Sequence, residues 1–456
     1  MQDPRRENES AYRRFLRRIY YTKPGQLLWR AISSIISHPR SRVFIDKALS
    51  SEFARGKLPH GQCLVPIIEA SSDLDRRAIL LVLPFHGSDA SSIYVDSICR
   101  QFVAQGYKID TVIYGHNSWQ PRSKLWDNAY YLRSGVDVTK LSESLTPTNI
   151  NNLDALCGFD LIQFIASLVH LKRYEHCIVS YVYLSRVFEY LKPETSKILV
   201  SHDVFSDRNQ RIFDSIGDNT AFFYSLDRNQ EKKGLERADL TIAITNEEET
   251  FFRSELGITD TITLPYIPPE SISINELKPR AGSPLILGYL ASSHRPNVNA
   301  IRNFIAQIRK RCNYRLIVAG SVCGDLAGDR LPPEVTLLGF VDNVDQLYEQ
   351  CHIVINPDTL VSGLKVKNVE ALAHDKPLLT TRAASAGLDA TSIFHLSQDS
   401  KALVALVEKI AECPEMLVEA HRDSRDLYKA YIKKFEGVDL VSTISGVVNR
   451  DAPAST

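Results

Sequence analysis

The chain has 456 residues, too many for one ordinary domain and enough for two with well-filled cores. Its 54 basic residues balance 54 acidic ones, so no net field draws it to nucleic acid, and no nucleic-acid partner is expected. The eight cysteines form no C-x-x-C pair, and no apolar run approaches the roughly 18 residues of a membrane span; reduced thiols in a cytoplasmic protein, without structural zinc or disulfides, are the expectation.

Residues 1–75 read as a helical extension unlike the rest. Tyr12, Phe15, Leu16, Ile19 and Tyr20 share one helical face, and Arg13, Arg14, Arg17 and Arg18 take the other. Pro24-Gly25 ends that helix, and Leu28, Ala31, Ile32, Ile35 and Ile36 repeat the spacing in a second one. Up to position 42 there are ten basic residues against three acidic ones. Two readings stand side by side: a peripheral helix held on an anionic membrane surface through residues 1–42, and an extension packed on its own body with the arginines in water.

From Arg77 the pattern becomes α/β. Ala78 to Phe85 is the continuous apolar run of a parallel strand buried on both faces, Ile93 to Phe102 marks a helix closed by Gly106, and Lys108 to Tyr114 is the next strand, a βαβ opening. Further strands are predicted at Cys177 to Tyr183, Lys197 to Val200 and Leu240 to Ile244, and Thr261 to Pro269 reads as the linker between domains. A second series follows at Leu285 to Leu290 and Tyr314 to Ala319, with a helix through Ile301, Phe304 and Ile308 between them. Residues 76–268 and 269–425 are thus two Rossmann-like domains facing a cleft, with 426–456 a terminal helix and tail.

Within the second domain, Cys351 to Asn356 is a strand ended by Pro357; Ser362 and Gly363 then precede a helical pattern running to Ala373, and Leu378 to Thr381 is the following strand. A helix opened by glycine offers unpaired N–H groups and a positive dipole end to phosphate, and Lys365 and Lys367 can add charge against a leaving diphosphate. Glu370 sits at the edge of the inward face, where a carboxylate needs a partner: a ligand, or Lys367 three residues earlier.

The succession GFVDNVDQLY, INP and SGLKVKNVEALAHDKPLL resembles the donor-binding half of glycosyltransferase family 4, retaining enzymes of the two-domain GT-B fold. The resemblance implies transfer of a sugar from a nucleotide-diphosphate sugar to a sugar or lipid-linked glycan acceptor, with no cofactor and no obligatory metal, in cell-envelope polysaccharide or glycolipid synthesis. It implies that Glu370 accepts from the ribose hydroxyls and that Ser362, Gly363, Leu364, Lys365 and Lys367 line the donor loop. His202 and Asp203 match the position of a cleft histidine beside the reacting bond, and Gly87 and Ser88 lie on the first-domain loop facing the phosphates. The family's usual first glutamate falls at Ser362, and a branch with a small residue, glycine and basic residues resembles this chain better. Of the usual Arg and Lys in the first loop of the second domain, Arg295 is the nearest substitute, amid Ser292, Ser293, His294 and Asn297. A non-enzymatic alternative is a degenerate sugar-nucleotide-binding or scaffold subunit of a polysaccharide assembly complex. Asp73-Leu74-Asp75 has the form of a metal-binding D-x-D, but no strand precedes it to aim both carboxylates, and it reads as solvated linker.

Overall fold

A computed structural model describes residues 77–87, 89–115, 123–133, 150–216, 224–268, 283–308, 313–341, 343–360, 363–434 and 439–448. The basic extension 1–75, Ser88 and Ser362 lie outside the described residues.

Two all-parallel sheets carry the fold. The first contains β1 (Ala78–Leu83), β2 (Lys108–Gly115), β3 (Asn128–Arg133), β4 (His176–Ser180), β5 (Ser196–Val200), β6 (Leu240–Ala243) and β7 (Thr261–Thr263), in the order β3-β2-β1-β4-β5-β6-β7. The second contains β8 (Leu285–Leu290), β9 (Tyr314–Ala319), β10 (Val335–Gly339), β11 (Ile353–Asn356) and β12 (Leu378–Thr380), in the order β10-β9-β8-β11-β12. Strands such as AILLVL in β1 are buried on both faces because helices cover each side, the condition for parallel sheets. This is the doubly wound arrangement expected from the apolar runs, here made twice.

Helices fill the crossovers. In the first domain they are α1 (Ala90–Ala104), α2 (Phe159–Leu171), α3 (Arg208–Ile216), α4 (Arg228–Leu235) and α5 (Asn246–Ser254). The second has α6 (Arg295–Ala306), α7 (Val322–Leu326), α8 (Asp345–Tyr348), α9 (Val366–Ala373) and α10 (Ser400–Glu412). Asp89 caps α1 by accepting from the Ser92 amide at 3.1 Å, and Thr245 caps α5 through the Glu248 amide at 3.2 Å.

Two predicted elements are corrected. The strand expected over Cys177 to Tyr183 stops at Ser180; Tyr181 turns the chain at φ 75°, and Val182–Tyr190 becomes a 3₁₀ helix whose Val182, Leu184, Val187 and Phe188 are buried. An apolar run of that length does not distinguish strand from buried helix, and packing decides. Thr261 to Thr263, taken for the start of the linker, pairs in register with Thr241 to Ala243 as the edge strand β7. Its β-branched residues suit that position.

One buried apolar cluster joins the domains. It contains Ile79, Leu83, Tyr94 and Ile244 of the first together with Val354, Leu364, Val366 and Val369 of the second. The last helices complete it: α11 (Pro414–Lys433) and α12 (Leu440–Val448) bring Leu427, Tyr431, Leu440 and Ile444 into the same cluster. The Tyr431 hydroxyl donates to the Tyr266 carbonyl at 2.7 Å, and Gln105 Nε2 donates to Asp439 Oδ1 at 2.7 Å. The chain end therefore returns to the first domain and ties it to the second.

Candidate active site

Winding reverses between β1 and β4 in the first sheet and between β8 and β11 in the second. Ligands of open α/β sheets bind outside the C-terminal strand ends at such points. The residues emerging there are Gly87 after β1, Tyr181 after β4, His202 after β5, Ser292 to Arg295 after β8, and Asp358 to Leu360 with Gly363 to Lys365 after β11.

On the first-domain side, Gly87 is held to the start of α1, its amide donating to Ser92 Oγ at 2.9 Å. His202 adopts φ 65°, a left-handed conformation that non-glycine residues rarely take and that directs it away from the strand. Its Nε2 lies 2.6 Å from Ser180 Oγ, and its ring stacks on Tyr181 at 4.3 Å with Tyr94 edge-on at 5.7 Å. The residue is half-buried, and burial of the ring pushes its pKa down to about 3. His202 is therefore neutral at physiological pH. Asp203 does not face it: Asp203 Oδ2 accepts from Arg208 Nε at 2.7 Å and Oδ1 from the Val204 amide. That pairing makes Asp203 an anchor for Arg208 and the turn after β5.

On the second-domain side, α9 begins directly after Gly363, Leu364 and Lys365. The Leu364 side chain is buried in the shared cluster, which leaves only its backbone for a ligand. Lys365 Nζ lies 3.4 Å from Asp358 Oδ2. Burial alone would raise the Asp358 pKa, but Lys365 and Lys367 outweigh it and hold the carboxyl below its ordinary range. Lys367 reaches back toward the first loop of this domain. Its Nζ donates to Asn297 Oδ1 at 3.0 Å and stands 4.9 Å above the Tyr289 ring. Burial, opposed by Asp358 and reinforced by Lys365, pushes Lys367 down to about 8. Arg295, sought as the cation of that loop, is the exposed first residue of α6. Lys367 instead brings a half-buried cation beside Asn297.

The Lys367 engagement also removes the structural partner considered for Glu370. Among the described residues the Glu370 carboxylate has no hydrogen bond or ion pair, and burial raises its pKa to about 7. Tyr266 and Tyr348 lie near enough to feel its charge. A half-buried carboxylate left in this condition has capacity for incoming donors.

The two sides meet at Gly363, which adopts φ 49°. A Cβ on this residue would lie 3.4 Å from Glu248 Oε1 and 3.6 Å from the His202 carbonyl, ordinary contact distances, so it is the positive φ that favours glycine here. Glu248 is the principal residue missed from sequence. Its Oε2 accepts from the Ile244 amide at 3.1 Å, while its buried Oε1 has no hydrogen-bond partner among the described residues. Burial, then the nearby Asp203 carboxylate, raises its pKa to about 8. Thr245-x-x-Glu248 is a capping-box signature legible in the sequence, though it announces a helix start, not a place in the cleft. Asp358 and Ser180 carried no local signal; only the fold puts them beside Lys365 and His202.

Comparison with known proteins agrees with this architecture. Residues 285–413, from β8 to the end of α10, match the family model described as Glycosyl transferases group 1. No curated protein matches by sequence. Similar solved structures include sucrose-phosphate synthase from Thermosynechococcus elongatus, at 16% identity and TM-score 0.58 over 82% of this chain and 98% of that one. Anabaena HepE, solved with UDP and glucose, aligns at 13% identity and TM-score 0.54 over 81% and 98%. The pneumococcal O-GlcNAc transferase GtfA, solved with UDP and GlcNAc, aligns at 11% and 0.55 over 82% and 99%. At these identities the structures establish a shared fold, the two-domain GT-B arrangement. The match of residues 285–413 to that family model makes the chain, in class, a transferase.

Proposed function

We propose that the protein moves a sugar from a nucleotide-diphosphate sugar to a glycan or lipid-linked glycan acceptor, with retention of configuration, as a member of glycosyltransferase family 4 acting in envelope polysaccharide or glycolipid synthesis. The observation that carries this reading is the meeting of the Gly363 turn and the start of α9 with His202 across the domain boundary. The amides opening α9 suit a diphosphate. Lys365 and Lys367 supply charge for its departure, so the chemistry needs no obligatory metal. Glu370, without a partner among the described residues, accepts from the ribose. The binding of UDP with a sugar by HepE and GtfA supports a nucleotide sugar as donor.

The test is a thermal-shift screen against nucleotide sugars, since a ligand at 100-fold its Kd stabilises by about 2.7 kcal/mol, followed by turnover of the donor that binds. Glu370→Ala is expected to weaken nucleotide binding about tenfold, and Glu370→Gln less, because the amide still offers an acceptor. Unchanged affinity in both would remove Glu370 from the site. Nucleotide binding without turnover of any donor would favour the scaffold reading.

Among the described residues no helix is long and apolar enough to cross a membrane. Residues 1–42, with their ten basic and three acidic side chains, support peripheral attachment at the inner face of the cell membrane. In flotation with vesicles containing phosphatidylglycerol, the intact chain is expected to rise with the lipid at low salt and less at high salt. A variant with Arg13, Arg14, Arg17 and Arg18 changed to Gln should remain below, and equal behaviour of the two would end the membrane reading.

A further inference from the structure

Two adjacent strands of the first sheet, β4 and β5, are each followed within two residues by a non-glycine residue at positive φ, Tyr181 at 75° and His202 at 65°. Such residues are uncommon, and they persist where the surroundings over-determine them. Here the surroundings converge on one imidazole. The Tyr181 ring stacks against His202 at 4.3 Å and against Tyr183 at 5.1 Å, and its hydroxyl lies 2.6 Å from Ser91 Oγ at the start of α1. Ser180, the last residue of β4, places its Oγ 2.6 Å from His202 Nε2.

That short contact has two proton arrangements, which are not equivalent. Ser180 is 2% exposed, and among the described residues His202 is its hydroxyl's hydrogen-bond partner. If Nε2 carried the proton and donated it, the serine hydrogen would be left buried without an acceptor. If the serine donates to Nε2, both groups of the contact are satisfied, and the imidazole proton sits on Nδ1, which among the described residues has no acceptor and is left for a ligand. Burial keeps the ring from holding both protons at neutral pH. We propose that Ser180 is a positioning residue for the transfer reaction: its hydroxyl fixes His202 in the Nδ1–H tautomer, so that the imidazole donates a hydrogen bond to an oxygen of the bound sugar or acceptor and does not serve as a base. Tyr181 holds the ring plane in which that donor points. This rests on the glycosyl-transfer reading for the identity of the receiving oxygen; the tautomer does not.

The two parts are tested separately. The full-length protein with ¹⁵N-labelled histidine rings is examined by long-range ¹⁵N–¹H correlation, with His202 assigned by its loss in His202→Asn. The expected spectrum shows Nδ1 protonated and Nε2 bare, unchanged between about pH 6 and pH 8; an Nε2–H tautomer or a titrating ring overturns the proposal without any variant of Ser180. Ser180→Ala is then expected to blur the tautomer and lower kcat roughly tenfold, the worth of one hydrogen bond at the reacting centre, with nucleotide affinity unchanged. Ser180→Thr, which keeps the hydroxyl, should restore both. Wild-type spectrum and kcat in a folded Ser180→Ala variant overturn the positioning role. If no donor turns over at all, the glycosyl-transfer reading fails while the spectrum still decides the tautomer.

Discussion

Removing the imidazole of His202 is expected to lower kcat about a hundredfold while nucleotide affinity changes by less than about threefold. The asymmetry follows from position. His202 stands at the C-terminal end of β5 beside the turn that opens α9, and it is neutral because burial prevents protonation. A neutral donor held in place before substrate arrives stabilises charge that develops only in the transition state, and loss of one such donor costs about 10²–10³ in kcat. In the proposed function nucleotide affinity rests instead on the α9 turn, Lys365, Lys367 and Glu370 in the other domain. Alanine is poorly suited to φ 65°, so His202→Asn, which tolerates the left-handed region, serves as the second variant. Steady-state turnover and calorimetric titration with the free nucleotide diphosphate measure the two effects. Equal losses in kcat and in affinity would reduce His202 to a structural group.

Legibility in the sequence followed the range of the interactions involved. Strands such as Ala78–Leu83 and Leu285–Leu290 are announced by apolar runs because a parallel strand is buried on both faces whatever its neighbours. β3, reading NAYYLR at the sheet edge, and α2 beyond it went unrecognised, since an edge strand carries no such run. The Tyr181 turn was hidden for a different reason: SYVYL suits a strand, and only packing of the 3₁₀ helix diverts it. The helix start after Gly363 to Lys365 and the half-buried position of Glu370 were legible because a helix start and its facing are local properties. The identity of their partners was not. Lys367 was weighed against Glu370 on helical spacing, but it binds Asn297, seventy positions away, and Asp203 turned to Arg208 instead of His202.

Glu248 gives the largest expected effect on stability. Its carboxyl is 5% exposed, has one oxygen without a hydrogen-bond partner among the described residues, and is surrounded by Asp203 after β5, Glu231 on α4, Arg211 on α3 and the Tyr94 hydroxyl on α1. Burial and the two carboxylates raise its pKa from 4.5 to about 8, outweighing Arg211. Between those values the folded chain keeps a proton that the unfolded chain has released. The unfolded state therefore binds fewer protons, and stability falls as pH rises through this window. The contribution is fully present below pH 4.5 and lost above about pH 8, a change on the order of 5 kcal/mol. Glu231, raised to about 6 with burial the largest cause, and Glu370, raised to about 7 by burial, act in the same direction over narrower windows. Glu248→Gln replaces the titrating acid by a neutral group of the same shape that still accepts from the Ile244 amide. The variant should lose less stability than wild type between about pH 5 and pH 8.5 and be the more stable of the two at the upper end. Urea unfolding at fixed temperature across that range measures the difference. Parallel curves for the two proteins would mean that Glu248 is ionised in the native fold, and its unpartnered oxygen would then need a donor within the cleft.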